Sequence, residues 1–265
     1  HLLGRRQRQM CIRDSRNTIM GMQAATGLTT GQHNVMIGAY AGYPTTDVDG
    51  AVLIGYQAGY GGNMTSAADG TVAIGFQAMN NLTTGQRNTG VGSGILYTNS
   101  SDGDDNTAMG YQAGFYNYKG SNNTHFGANA GHYATGSYNT FVGKDAGKGG
   151  TTSAPYSSGE RNIGVGYYAL RNFTTGHSNV AIGYQAGQSI NAGHENTIVG
   201  YQAGQNVTTA DNNVIMGFQA GQSLTSARYN VLIGDNAGRS LTTTSGNNEN
   251  VFIGNSAGRN ADAST

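Results

Sequence analysis

The sequence predicts an all-β fold, a parallel β-solenoid of about fourteen coils. Three observations carry that expectation: a unit of about seventeen residues that recurs along the chain, a glycine that returns once per unit, and apolar residues at alternating positions just before it. The clearest copy is Asn179-Val-Ala-Ile-Gly-Tyr-Gln-Ala-Gly187, and its central glycine recurs at Gly21, Gly38, Gly55, Gly75, Gly92, Gly110, Gly127, Gly143, Gly166, Gly183, Gly200, Gly217, Gly234 and Gly254. Glycine makes up 44 of 265 residues, and its periodicity distinguishes the chain from a disordered glycine-rich one.

Within one unit each position has a physical reading. Four residues before the glycine stands Asn, as in Asn34, Asn179, Asn196, Asn213 and Asn230, with Ala51 and Thr71 the two departures. Asn tolerates turn geometry, and stacked amides hydrogen-bond up a column, so this position marks the corner entering a strand. Three residues before the glycine the side chain is always β-branched (Val35, Val52, Thr107, Ile163, Val180, Thr197), and one before it is always apolar (Ile37, Ile54, Met109, Phe126, Val142, Ile253). Positions two apart share a strand face, and these two columns are expected to point into the coil. Gly183, Gly200, Gly217 and Gly234 then mark the strand exit, where positive φ or close backbone approach excludes a Cβ. Ala follows three positions later, with Ile95 the exception, at a corner with room for a methyl. A second, weaker strand is expected in stretches such as Gln188-Ser-Ile-Asn191 and Gln222-Ser-Leu-Thr225, with Leu82, Phe173, Ile190, Val207 and Leu224 facing in. At a spacing of about 4.8 Å, fourteen coils would make a rod on the order of 65 Å long.

The remaining column, two before each glycine, is apolar except at His125: Ile19, Met36, Leu53, Phe141, Ile198, Ile215, Leu232 and Phe252 are its larger members. If the flanking pair faces in, this one faces out, as an apolar stripe longer than a lone chain normally exposes. That predicts an oligomer interface. Extra residues, three before Gly75 and Gly254 and six before Gly166, all fall in the arc ahead of the next Asn corner. Insertions on one edge of a solenoid are loops and a common binding edge, which makes Tyr60, Asn63, Tyr97, Asp102, Tyr156 and Arg161 the candidate ligand residues.

Composition narrows the function. The net charge is zero, which argues against nucleic acid and anionic membranes, and no apolar run is long enough to insert into a bilayer. Residues 1–15 share nothing with the repeat and hold four Arg and one Asp, so the remainder carries −3. They read as the in-frame translation of a sequencing-library adapter, a non-native leader ahead of one domain over residues 16–265. Cys11 then says nothing about redox environment. Asp102-Gly-Asp-Asp-Asn106 has calcium-like Asp spacing without the rest of an EF-hand, and the histidines lack metal-ligand spacing. No Ser/His/Asp set or carboxylate pair stands out, and the expectation is a protein that is no enzyme and holds no cofactor or metal. The Tyr or Phe after the glycine (Tyr56, Phe76, Tyr111, Tyr184, Tyr201, Phe218) reads as an aromatic ladder stiffening the rod.

The unit Asn-Val-Ala-Ile-Gly-Tyr-Gln-Ala-Gly, which covers residues 17–258, resembles the head repeats of trimeric autotransporter adhesins and related repeats of phage tail fibres and bacterial surface proteins. The adhesin head repeat is shorter than seventeen residues. The resemblance implies a left-handed parallel β-roll, assembled as a homotrimer, extracellular on a bacterial surface or phage virion, and bound to a host surface protein or glycan. An ice-binding solenoid and a polysaccharide-processing β-helix are the alternatives. Thr29, Thr83, Thr174, Thr208, Thr225 and Thr242 give the first only one interrupted Thr column, and the second lacks clustered acids.

Overall fold

A computed structural model of the chain describes residues 16–98, 103–150, 156–241 and 249–261. Each repeat contributes one three-residue strand, from β1 (Thr18–Met20) and β2 (Val35–Ile37) to β13 (Val231–Ile233) and β14 (Val251–Ile253). The fourteen strands form one parallel sheet in sequence order, every strand pairing with the next coil's copy of itself, as in Val35↔Val52, Met36↔Leu53 and Ile37↔Ile54. The chain is thus a β-solenoid. Among the described residues the one helical turn is a 3₁₀ segment at Ser66–Ala68, and no helix is long and apolar enough to cross a membrane. The leader at residues 1–15 lies outside the described residues.

The strand exit shows why glycine recurs. All fourteen of these glycines have φ between +124° and +146°, a region that L side chains rarely adopt. Space excludes a side chain as well: a Cβ on Gly200 would run into the carbonyl oxygen of Gly217 one coil on. Beyond the glycine, the second and fourth residues are left-handed too, for example Gln202 at φ +52° and Gly204 at +51°. This alternation coils the backbone into turns, so the expected second strand does not form. The arc over Gln188–Asn191 is turn, yet still bonded to the next coil through Ser189 N to Gln205 O (3.1 Å) and Asn191 N to Thr208 O (3.0 Å).

The faces of the strand are the reverse of the sequence expectation. The middle residue points into the coil: Met36, Leu53, Phe141, Ile198, Ile215 and Leu232 have no exposed surface, and Ile19 and Phe252 pack against the ends of the core. The β-branched residue before it and the apolar residue after it point out. The column proposed as an oligomer interface is therefore the core of the chain itself and cannot meet another chain. In most coils its volume is matched by the fourth residue after the glycine. Where the inward strand residue is large, that fourth residue is Gly in every coil but the first, which has Ala25: Gly147 lies against Phe141, Gly238 against Leu232, Gly131 against His125. Where the strand residue is Gly90 or Gly164, the fourth residue grows to Leu96 or Leu170. Leu82, Phe173, Ile190, Val207, Leu224 and Leu241 fill the far side. The apolar core forms two clusters, one ending at Ala113 and the other starting at Ala130, with His125 and Asn117 buried at the division.

Candidate interaction surfaces

The Asn corner is built as a ladder. Asn196 Oδ1 accepts from the backbone N (3.1 Å) and the Nδ2 (2.9 Å) of Asn213, while its own Nδ2 donates to Asn179 Oδ1 (3.0 Å) and Ala210 O (2.7 Å). Asn34, Asn179, Asn213 and Asn230 sit in the same buried column. One amide supplies both a donor and an acceptor, which a carboxylate or a methyl does not, and so it satisfies backbone groups that the corner buries. This column holds the coil together and presents nothing to a ligand.

The outward sheet face does present something. The β-branched and apolar columns flanking the core residue, and the residue after the glycine, lie side by side along the sheet. Of the large apolar side chains that the described chain exposes, nearly all stand here: Met20, Met109, Phe126, Ile163, Ile182, Met216, Val251 and Ile253 on the strands, and Tyr56, Phe76, Tyr111, Tyr184, Tyr201 and Phe218 beside them. Phe126 remains 45% exposed and Phe218 48%, so a single chain leaves half of such side chains in water. The rings of Tyr167, Tyr184, Tyr201 and Phe218 stack within 10° of parallel at 5.3, 5.0 and 5.2 Å, which supports the ladder reading. Gln185, Gln202 and Gln219 run next to them, with Gln202 and Gln219 each donating Nε2 to the preceding Oε1 at 2.8 Å. Strand positions on this face carry no charged residue.

The other surface is the edge carrying the insertions. Tyr60 stacks on Tyr43 (5.7 Å), Tyr97 on Phe115 (4.9 Å), and Asn63 is exposed nearby in its own arc. Tyr156, from the longest insertion, stacks on Tyr116 at 4.6 Å and Tyr133 at 5.9 Å and meets Tyr118 edge-on. Burial and three neighbouring phenols raise the Tyr156 hydroxyl above its ordinary value. Arg161 instead occupies the left-handed position ahead of an Asn corner, exposed, and does not join Tyr156. Asp102 lies outside the described residues. Its neighbours are engaged: Asp104 Oδ1 accepts from Gln86 N (2.8 Å), and Asp105 pairs with Arg87 at 2.7 Å, which lowers the exposed carboxyl's pKa through that hydrogen bond.

Sequence reasoning missed the cations beside this edge. Lys148 and Arg171 follow His132 in one column on successive coils, tied by Tyr133 N to Lys148 O (2.7 Å) and Gly149 N to Arg171 O (3.0 Å). His132 is buried with Nδ1 3.2 Å from Gln112 O, and desolvation, with the Lys148 charge adding, lowers its pKa. The signal was present as the glycine-to-fifth-residue spacing, hidden because each coil holds a different residue type there. Among the described residues no three of His, Cys, Asp or Glu converge on a metal-sized site. Comparison with protein-family models, curated proteins and solved structures finds no match.

Proposed function

We propose that the chain is a rod segment of an extracellular surface fibre, joined laterally to copies of itself through the outward sheet face and displaying its inserted edge to a host surface protein or glycan. The observation that carries this reading is the sheet face, whose strand positions hold no charged residue and expose a continuous row of apolar side chains. Fourteen strands about 4.8 Å apart, four residues wide at about 3.3 Å each, give a face of roughly 800 Å². That exceeds the few hundred Å² typical of monomer patches and equals one partner's share of a standard interface. Three copies is the number implied by the resemblance to adhesin heads and tail fibres, as is the location on a bacterial surface or virion. Light scattering of the intact chain at micromolar concentration should report an oligomer, and Ile182→Glu with Met216→Glu should reduce it to monomers of unchanged circular dichroism. A monomeric native chain would overturn the proposal.

One observation favours the ice-binding alternative. Thr89, Thr107, Thr124 and Thr140 lie on four consecutive strands, outward on the same flat face. A thermal-hysteresis measurement separates the readings, since an ice-binding face must stay free of a partner chain.

A further inference from the structure

We propose that the edge formed by Lys148, Arg171, Tyr133 and Tyr156 binds an acidic sugar, a uronate or similarly carboxylated hexose. This rests on the reading that the rod displays its inserted edge, and it names the ligand class for that edge. Charge is the first argument. Residues 47–105 hold six Asp and one Arg, whereas residues 119–171 hold Lys119, Lys144, Lys148, Arg161 and Arg171 against Asp145 and Glu160. A rod of low charge thus concentrates its cations in the coils next to its longest insertion.

The pairing of these cations is the second argument. Asp145 is buried, and its Oδ1 lacks a hydrogen bond, because Lys148 Nζ stands 3.7 Å away. Arg171 has no carboxylate partner among the described residues. Its guanidinium lies over the Tyr168 ring at 4.8 Å, Nη1 reaches Asn172 Oδ1 at 3.3 Å, and Nε is buried without a partner. The ring and Asn172 fix the guanidinium, and its Nη2, which has no hydrogen bond among the described residues, is the group left to receive an anion.

The third argument is the ring cluster on the adjacent column, where Tyr133 meets His132, the residue ahead of Lys148 in its column, edge-on at 4.4 Å. Tyr116, Tyr133 and Tyr156 form a stacked cluster with Tyr118 at its rim, and Lys119 Nζ lies 5.9 Å from the Tyr118 ring. Apolar ring edges next to clustered phenol hydroxyls suit a sugar, whose C–H surface and hydroxyls alternate. The rings stack on one another and so leave little face for a nucleic-acid base, and the few cations are too few for a binding mode driven by counterion release.

Titration calorimetry of the full chain with trigalacturonate tests the proposal, with maltotriose as the neutral comparison. Trigalacturonate should bind and maltotriose should not. Lys148→Ala and Arg171→Ala should each weaken binding by about tenfold, the scale of one charge-assisted contact, with unchanged circular dichroism and assembly size. Absence of trigalacturonate binding, equal binding of maltotriose, or full binding by a correctly folded Lys148→Ala chain would overturn it. If the native chain is monomeric in light scattering yet binds trigalacturonate, the assembly reading fails while the site stands.

Discussion

Replacing His125 with Leu should stabilise the rod and remove a defined part of its acid sensitivity. The imidazole is fully buried between the two apolar clusters, stacked on Phe141 at 5.6 Å, and neither ring nitrogen has a hydrogen-bond partner. Burial pushes its pKa down from 6.5 to about 4. The unfolded chain therefore takes up a proton below pH 6.5 that the folded chain refuses until about pH 4. Stability is complete above pH 6.5, declines as pH falls through that window, and levels off below it. A gap of about 2.5 pH units at roughly 1.4 kcal/mol each amounts to about 3–4 kcal/mol. At pH 7.5 the variant should already gain on the order of 2 kcal/mol, because two unpaired buried nitrogens are replaced by an apolar group of the column's ordinary kind. The assay is urea denaturation of both chains from pH 7.5 to 4.5. Exposed carboxylates act equally in both, so the difference between the two curves isolates the histidine. Curves that remain parallel throughout this range would refute the reasoning.

Three further outcomes follow from the coil. Leu232→Ala should cost about 2–5 kcal/mol in denaturant midpoint and leave the assembly's mass in light scattering unchanged, because the side chain faces Gly221 and Gly238 inside its own chain. Gly200→Ala combines a φ of +137° with a collision against Gly217, and should lose about 3 kcal/mol or more in the same measurement. Asn196→Ala orphans the Asn213 backbone N–H and the Ala210 carbonyl, a loss of about 2–4 kcal/mol, and hydrogen exchange should show that N–H losing protection while Asn213 Nδ2 keeps Asp211 O and Ala227 O.

The period, the glycine exits and the Asn corners were legible because each is a local demand on backbone geometry that few residues meet. The polarity of the strand was not, because both of its faces are apolar. In Val180-Ala-Ile182 two bulky residues flank a methyl, and counting bulk places the pair inside, whereas the protein buries Ala181 and leaves Ile182 40% exposed. A better signal was volume compensation. Gly164 with Leu170, and Leu232 with Gly238, trade size within one coil, as residues sharing a closed space must, whereas the β-branched column shows no such trade. The second strand failed because alternating left-handed residues at Gln202 and Gly204 cannot be read from apolar spacing. At the inserted edge, Tyr60, Tyr97 and Tyr156 were visible as loop aromatics, but Tyr116, Tyr133, Lys148 and Arg171 join them only through coil register.

The trade of volume within a coil bears on how such a chain can change length. A coil that settles its own interior can be copied or deleted by recombination between repeats without repacking its neighbours, so the gene can drift in repeat number while the fold persists. Two places resist this. The coils of Ala108 and Ala181 are small at both positions, and their space is taken up from next door: a Cβ on Gly114 would meet Leu96 and His125, and one on Gly187 would meet Leu170 and Ile198. Each of these is inherited with its neighbours or not at all, so a crossover between Leu96 and Ala108, or between Leu170 and Ala181, leaves a void in one product and a clash in the other.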